Sequence, residues 1–340
     1  MLDYKHFLQM TDEIGMLQFS RLSTPDPTSG YTLDDNARAL IISLSMENGY
    51  NHALKYASYL NNAQQKDGTW SNFLFDNKYY PHFDSEDSFG RALLACSLAV
   101  VSPYNNISKL GKQMLLKNVL PVKNFRSPRG IAYALLALCK AKPEDFKNNN
   151  FETLISTLSE RLISFYQLNH QKNWLWFEET ITYCNGVLPQ SLYNVYTITG
   201  DKKSLKIAHE SLNFLCQILF RDGYLNIIGN RGWHTRNNTI PLFDQQPVDA
   251  ASIIYSCLDA YEIIGEIEYL ELAVKAYKWY HGLNIHGISL YDNQTGGCYD
   301  GLTPKGLNLN QGAEAVLSLL FSDTLMKKFI EKEIDINKSS

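Results

Sequence analysis

The chain has 340 residues, 45% of them hydrophobic, which is enough for a large buried core and for either one large domain or two. A formal net charge of −4, with no basic run, excludes the cationic face that a nucleic-acid partner requires. No segment reaches 18 uninterrupted apolar residues and the N-terminal stretch has no signal-peptide core, so no membrane association is expected and a cytoplasmic location is inferred.

In chain order, residues 1–30 read as an N-terminal extension and loop. A series of paired helices follows. The first helices are predicted from Asp34, Glu86, Ser127, Val187, Val248 and Asn308, and their partners from Asn51, Ile107, Phe151, Lys202, Ile267 and Ser322. Three of the junctions share one spacing: Gly49, Leu54, Ala57; Gly200, Leu205, Ala208; Gly265, Leu270, Ala273. Glycine suits the left-handed residue that ends a helix, and Leu and Ala three apart open the next apolar stripe. The first helices are the more apolar, as in "GRALLACSLAVV", and the second carry Lys and Glu on one side, as in "KKSLKIAHESLNFL". Apolar helices belong inside and amphipathic ones at the surface. The expected fold is therefore all-α: a single (α/α)6 toroid over 1–340, with a disordered tail at 334–340. An open solenoid is the alternative, but it needs polar capping repeats that neither end supplies.

In such a toroid the amino ends of the inner helices and the long loops share one face, where positive dipole ends converge. The first two inner helices open on "DDNARAL" and "EDSFGRALL". Aligned, they pair Asp34 with Arg38 and Asp87 with Arg91, four residues apart, as intrahelical ion pairs or as a base held ionised. Asp35 and Glu86 are left without an expected partner. A carboxyl in that state in a dehydrated mouth has its pKa raised and suits a general acid. One acid and one ionised carboxylate are what glycosidic-bond cleavage needs.

The loop "WLWFEETITYCNG" places Trp176 before Glu178 and Glu179, followed by Tyr183 and Asn185. Aromatic faces stack on sugar rings, and the polar groups bond hydroxyls; a buried aromatic plug is the structural alternative. Glu178 is a further candidate acid. Trp233, His234, Gln246 and Asp249 precede or open the fifth inner helix, with Asp249 a candidate base. Tyr299, Asp300, Asn310, Gln311 and Glu314 lead into the sixth. Arg129 completes the ring of site residues, and Asn36 lies beside the paired acids. Arg38, Arg91 and Arg129 make phosphate conceivable as an acceptor.

The six cysteines are far apart and read as reduced core residues. No His pair has zinc-ligand spacing, no phosphate loop or G-x-G-x-x-G is present, and G-x-S-x-G is absent. No metal or other cofactor is expected.

The segments "TDEIGMLQFSRLSTPDPTSGYTLDDNARAL", "SPRGIAYALLAL" and "GLNLNQGAEAVLSLL" resemble a bacterial family of the six-hairpin glycosidase-like superfamily, whose members are described as glycosidase-like or glycosyltransferase-associated. The resemblance runs from about Phe7 to Phe321. It implies the same toroid and a place in the metabolism of β-mannosides and related oligosaccharides. Where the family pattern continues "NQGAEST" this chain has "NQGAEAV", which removes hydroxyls near Glu314. The superfamily holds hydrolases, phosphorylases, lyases and epimerases. The leading expectation is a glycoside hydrolase or phosphorylase acting on an oligosaccharide, such as a β-mannoside or β-glucoside. The alternatives are a non-catalytic carbohydrate-binding accessory domain of a glycosyltransferase system and a sugar 2-epimerase. The epimerase would call for histidines on inner helices, and the chain offers only His82 and His234 near that face, both in loops.

Overall fold

The computed structural model describes residues 3–141 and 150–339, with side chains through Phe329. Helices dominate. They are α1 (Lys5–Gln9), α2 (Leu33–Ser45), α3 (Tyr50–Ala63), α4 (Glu86–Val100), α5 (Asn105–Asn118), α6 (Pro128–Lys140), α7 (Phe151–Asn169), α8 (Val187–Thr199), α9 (Lys202–Leu219), α10 (Pro247–Ile264), α11 (Ile267–Trp279) and α12 (Ala313–Ser339).

Local chemistry sets where the inner helices begin. Thr32 caps α2 by accepting the Asp35 N–H, Ser85 caps α4 through Ser88, and Ser127 caps α6 through Gly130. Pro128 and Pro247 sit in the first turns of α6 and α10, where a missing N–H costs nothing. Gly200 and Gly265 end α8 and α10 in the left-handed conformation, as their spacing predicts. Gly49 does not: its φ is −73°, and Asn48 at φ +59° makes that turn instead. Asn tolerates the left-handed region, so the glycine serves space here, since a Cβ on it would meet Ser43 O.

Helices α2, α4, α6, α8, α10 and α12 pack each on the next, and α12 returns to α2, closing the ring. Outside it α3, α5, α7, α9 and α11 each lie on the inner helix before them. The observed architecture is the expected all-α toroid, with one correction. The separate second helix expected from Ser322 does not form: α12 runs unbroken through Ser322 to Ser339, and the short α1 packs against it. No Gly or Pro follows Gly312, so nothing stops the helix. The disordered tail expected at 334–340 falls on the last residues of α12 and on Ser340, which lies outside the described residues. The start expected at Asn308 falls instead at Ala313, because 306–308 pairs with 301–303 as a two-stranded ribbon.

Other long loops also form short ribbons. Tyr31 and Thr32 pair with Leu74 and Phe73, and Thr180 and Ile181 with Thr235 and His234. These cross-links fix the loops on the face where the inner helices begin. Beneath it Trp176, Trp279, Tyr193 and Tyr280 are fully buried, and all six cysteines are buried and unpaired with one another. Burying each Leu or Phe of this core contributes roughly 1.5–3 kcal/mol. No described helix is long and apolar enough to cross a membrane.

Candidate active site

A cavity of about 390 Å³ opens where the inner helices begin. Thr32, Asp34 and Asp35 enter it from the start of α2, Gly312 and Glu314 from α12, and Gln246 and Pro247 from α10. Asp300, Thr303 and Asn308 close one side from the 301–308 ribbon, and Gln18 and Phe19 of the N-terminal segment close another. Asn72, Asn230 and Asp244 complete the rim.

Arg38 forms the centre of its charge network. The guanidinium is buried, 3.0 Å from Asp35 Oδ1, 3.2 Å from Glu314 Oε2 and 3.3 Å from Asp34 Oδ2. Arg91 crosses from α4 to donate to Asp34 Oδ1 at 2.7 Å. Burial alone would raise the Asp34 carboxyl, but Arg38 and Arg91 together hold it below the ordinary carboxylate range. Asp35 is driven the other way, to about 7: burial dominates, Arg38 opposes it, and the charges of Asp34 and Glu314 add to the rise. The Asp35 carboxylate also accepts from Thr32 Oγ1 at 2.7 Å. Two neighbouring carboxyls on one helix turn are thus split in acidity by their surroundings.

Two more acids near this network are raised. Asp249, buried and bonded to the Cys184 N–H at 2.6 Å, is pushed up to about 7 by burial, with Glu314 adding to it. Asp300, which accepts the Gly312 N–H at 2.7 Å, reaches about 6 for the same two reasons.

The other half of the mouth differs from the sequence expectation. Asp87 is engaged away from its expected partner Arg91, accepting from Tyr183 Oη at 2.6 Å and Ser127 Oγ at 2.8 Å. Glu86 is no unpartnered acid: it accepts the N–H groups of Arg126 and Ser127 at 2.7 and 2.6 Å, tying α4 to the entrance of α6. Asp35 likewise has a partner on its own helix, Arg38 three residues on, although spacing four assigned that arginine to Asp34 alone. Arg129 bonds Glu178 at 2.8 Å, Asn185 at 3.0 Å and the Tyr183 carbonyl at 2.5 Å, and its guanidinium lies over the Tyr183 ring. It holds the 178–185 loop in place. Tyr183 stays partly exposed, with its ring 6.2 Å from Trp233.

Several other candidates lie outside the cavity lining. Trp176 is fully buried and offers no face for stacking, and Glu179 points outward to pair with Arg236. Asn36 is fully buried and clamps Met16 through N–H and carbonyl bonds. Gln311 bonds Thr295 and Asp292, Asn310 accepts the Leu22 N–H, and Tyr299 donates to Asp292. These three fasten the chain ahead of α12. His234 is buried beside Trp174 with its pKa lowered by burial, and none of the eight histidines lines the cavity. Among the described residues no group of His, Cys, Asp or Glu is arranged to hold a metal ion.

The polar and aromatic cavity residues missing from the sequence reading are Gln18, Phe19, Thr32, Asn72, Asn230, Asp244, Thr303 and Asn308. Thr32 could have been found as the cap before "LDDN"; the rest sit in loops whose place depends on tertiary structure.

Solved structures share this architecture. A sugar epimerase from a ruminal bacterium superposes with a TM-score of 0.70 at 12% identity, covering 95% of both chains. A cellobiose 2-epimerase from Bacillus thermoamylovorans gives 0.69 at 12%, covering 94% of this chain and 95% of that one. A GH76 α-mannanase from Bacteroides thetaiotaomicron gives 0.64 at 16%, with 88% of each chain covered. At these identities the likeness establishes the toroid. No family model and no curated protein matches the chain.

Proposed function

We propose that the protein is a carbohydrate-active enzyme that cleaves a glycosidic bond of an oligosaccharide, with Asp35 as proton donor and Asp34 as the ionised carboxylate. The observation that carries this reading is the split between two adjacent acids at the cavity floor, one held charged by two arginines and one held near neutrality by burial. Asp35 would protonate the leaving oxygen while Asp34 activates water or attacks the anomeric carbon. Glu314, on the same arginine, adds to the rise in the Asp35 pKa, which burial dominates.

The test is a screen of purified protein against β-linked manno- and gluco-disaccharides, with Asp35→Asn and Asp34→Asn alongside. Released monosaccharide from the parent chain, lost in both variants while binding persists, supports the assignment. Turnover surviving in both variants would sink it, and binding without any turnover in the parent would mark an accessory carbohydrate-binding domain. Asp300→Asn addresses the rival acid.

A second reading, interconversion of free sugars, is favoured by the sugar epimerases and the D-mannose isomerase among the similar structures. It calls for a base beside a sugar carbonyl, a role histidine commonly fills, and none lines this cavity. Detection of an epimerised or isomerised sugar without bond cleavage would decide for it.

A further inference from the structure

Any charge on the walls of the cavity is of one sign. Five carboxyl groups line it, from Asp34, Asp35, Asp244, Asp300 and Glu314, with Asp35 carrying a proton in the cleavage reading, and among the described residues no Lys, Arg or His does. The nearby guanidinium groups are turned to other partners. Arg38 is shared among three carboxylates, Arg91 between Asp34 and the Cys184 sulfur, and Arg231 lies 3.1 Å from both oxygens of Asp244. The helix-end N–H groups that would cradle an anion are also taken. Thr32 Oγ1 accepts from Asp35, Asn72 Oδ1 from Asp34, and Asp300 Oδ1 from Gly312. A phosphate or carboxylate ligand would have to displace a carboxylate to reach a guanidinium, and would otherwise meet only neutral amide donors beside like charge. The remaining walls carry side-chain amides, from Gln18, Asn72, Asn230, Gln246 and Asn308, which donate to and accept from hydroxyls.

We propose that this cavity selects uncharged or amine-bearing oligosaccharides, excludes phosphate and anionic sugars, and delivers the cleaved glycosyl unit to water. The inference rests on the glycoside-cleaving reading for its last part only. In that step the glycosidic C–O bond breaks and the leaving oxygen takes the Asp35 proton. Water adds its oxygen to the anomeric carbon, and its proton passes to the ionised carboxylate, so no phosphate is consumed.

The full chain is titrated with inorganic phosphate, β-mannobiose, cellobiose and a glucuronic-acid-containing disaccharide. Phosphate and the glucuronate sugar are expected to bind at least about tenfold more weakly than the better neutral disaccharide. Asp244→Asn, which frees Arg231 at the rim, narrows that gap. Turnover in ¹⁸O-water is expected to label the released sugar at a rate independent of phosphate. Anionic ligands binding as tightly as neutral ones, or phosphate-dependent release of a sugar phosphate, overturns the proposal. Neutral sugars bound in the expected order without turnover would leave the charge selectivity standing and remove the cleavage reading. Failure of every sugar to bind removes both.

Discussion

The first two inner helices open on almost the same letters, "DDNARAL" and "EDSFGRAL", and the structure uses them for opposite ends. On α2 the acids face the cavity around Arg38 and are driven apart in acidity. On α4 the acids face a neighbouring helix: Glu86 caps the entrance of α6, and Asp87 anchors Tyr183 and Ser127. The arginine of the second copy serves the first, since Arg91 reaches across to Asp34. A repeated motif therefore fixes where a carboxylate sits along a helix. What the ring places opposite decides whether it does chemistry or holds two helices together.

The sharpest way to break this contrast is to remove Arg38. Arg38→Met leaves Asp34 and Asp35 buried without their shared cation, and a cost of about 3–5 kcal/mol is expected, read as a lowered denaturation midpoint together with lost turnover. Asp35→Asn, close in shape, keeps the Thr32 contact and is expected to fold, yet kcat should fall about 10²–10⁴-fold. If an Asp87→Asn variant loses as much kcat as Asp35→Asn, the division between the two halves is wrong.

The pH response sharpens the comparison further. The folded pKa of Asp35 and of Asp249 is raised to about 7, above the roughly 3.9 of an unfolded aspartate. Their contribution to stability is therefore fullest below pH 4 and is lost as pH rises toward 7. Asp249→Asn should flatten that loss in denaturant titrations at pH 5 and pH 8. The alkaline fall in kcat/KM, set by the Asp35 proton, should keep its midpoint near 7 in the same variant. A midpoint that moves with Asp249 would reassign the acid. Smallest of all, Glu86→Ala should cost about 1 kcal/mol of stability, as a lost helix cap does, with kcat/KM unchanged.

The scaffold was legible because its signals are local. Thr32, Ser85 and Ser127 cap, Gly200 and Gly265 terminate, and apolar spacing marks the rest, so the starts at Glu86, Val187, Phe151, Lys202 and Ile267 coincide with those expected. The continuity of α12 past Ser322 also has a local cause: nothing after Gly312 breaks the helix, and an apolar pattern alone does not announce a turn. The site was legible only in part. Asp34 and Asp35 stand where their motif implied, but spacing along one helix could not show that Arg91 would cross to another or that Trp176 would turn inward. Gln18 is placed by backbone bonds to Gly30 and Ala313, Phe19 by one to Asp26 and Asp244 by one to Asn230, contacts that leave no periodic trace in the chain.

The contact between α12 and α2 joins residues from both extremes of the sequence, Arg38 to Glu314 across 276 positions, and the cavity lies over that seam. A sugar seated there would touch Gln18 and Asp35 on one edge and Asp300 and Glu314 on the other, acting as a clasp on a bracelet. Occupancy should then slow the opening of the whole ring, so that resistance to proteolysis would report on the ligand even before any chemistry is measured.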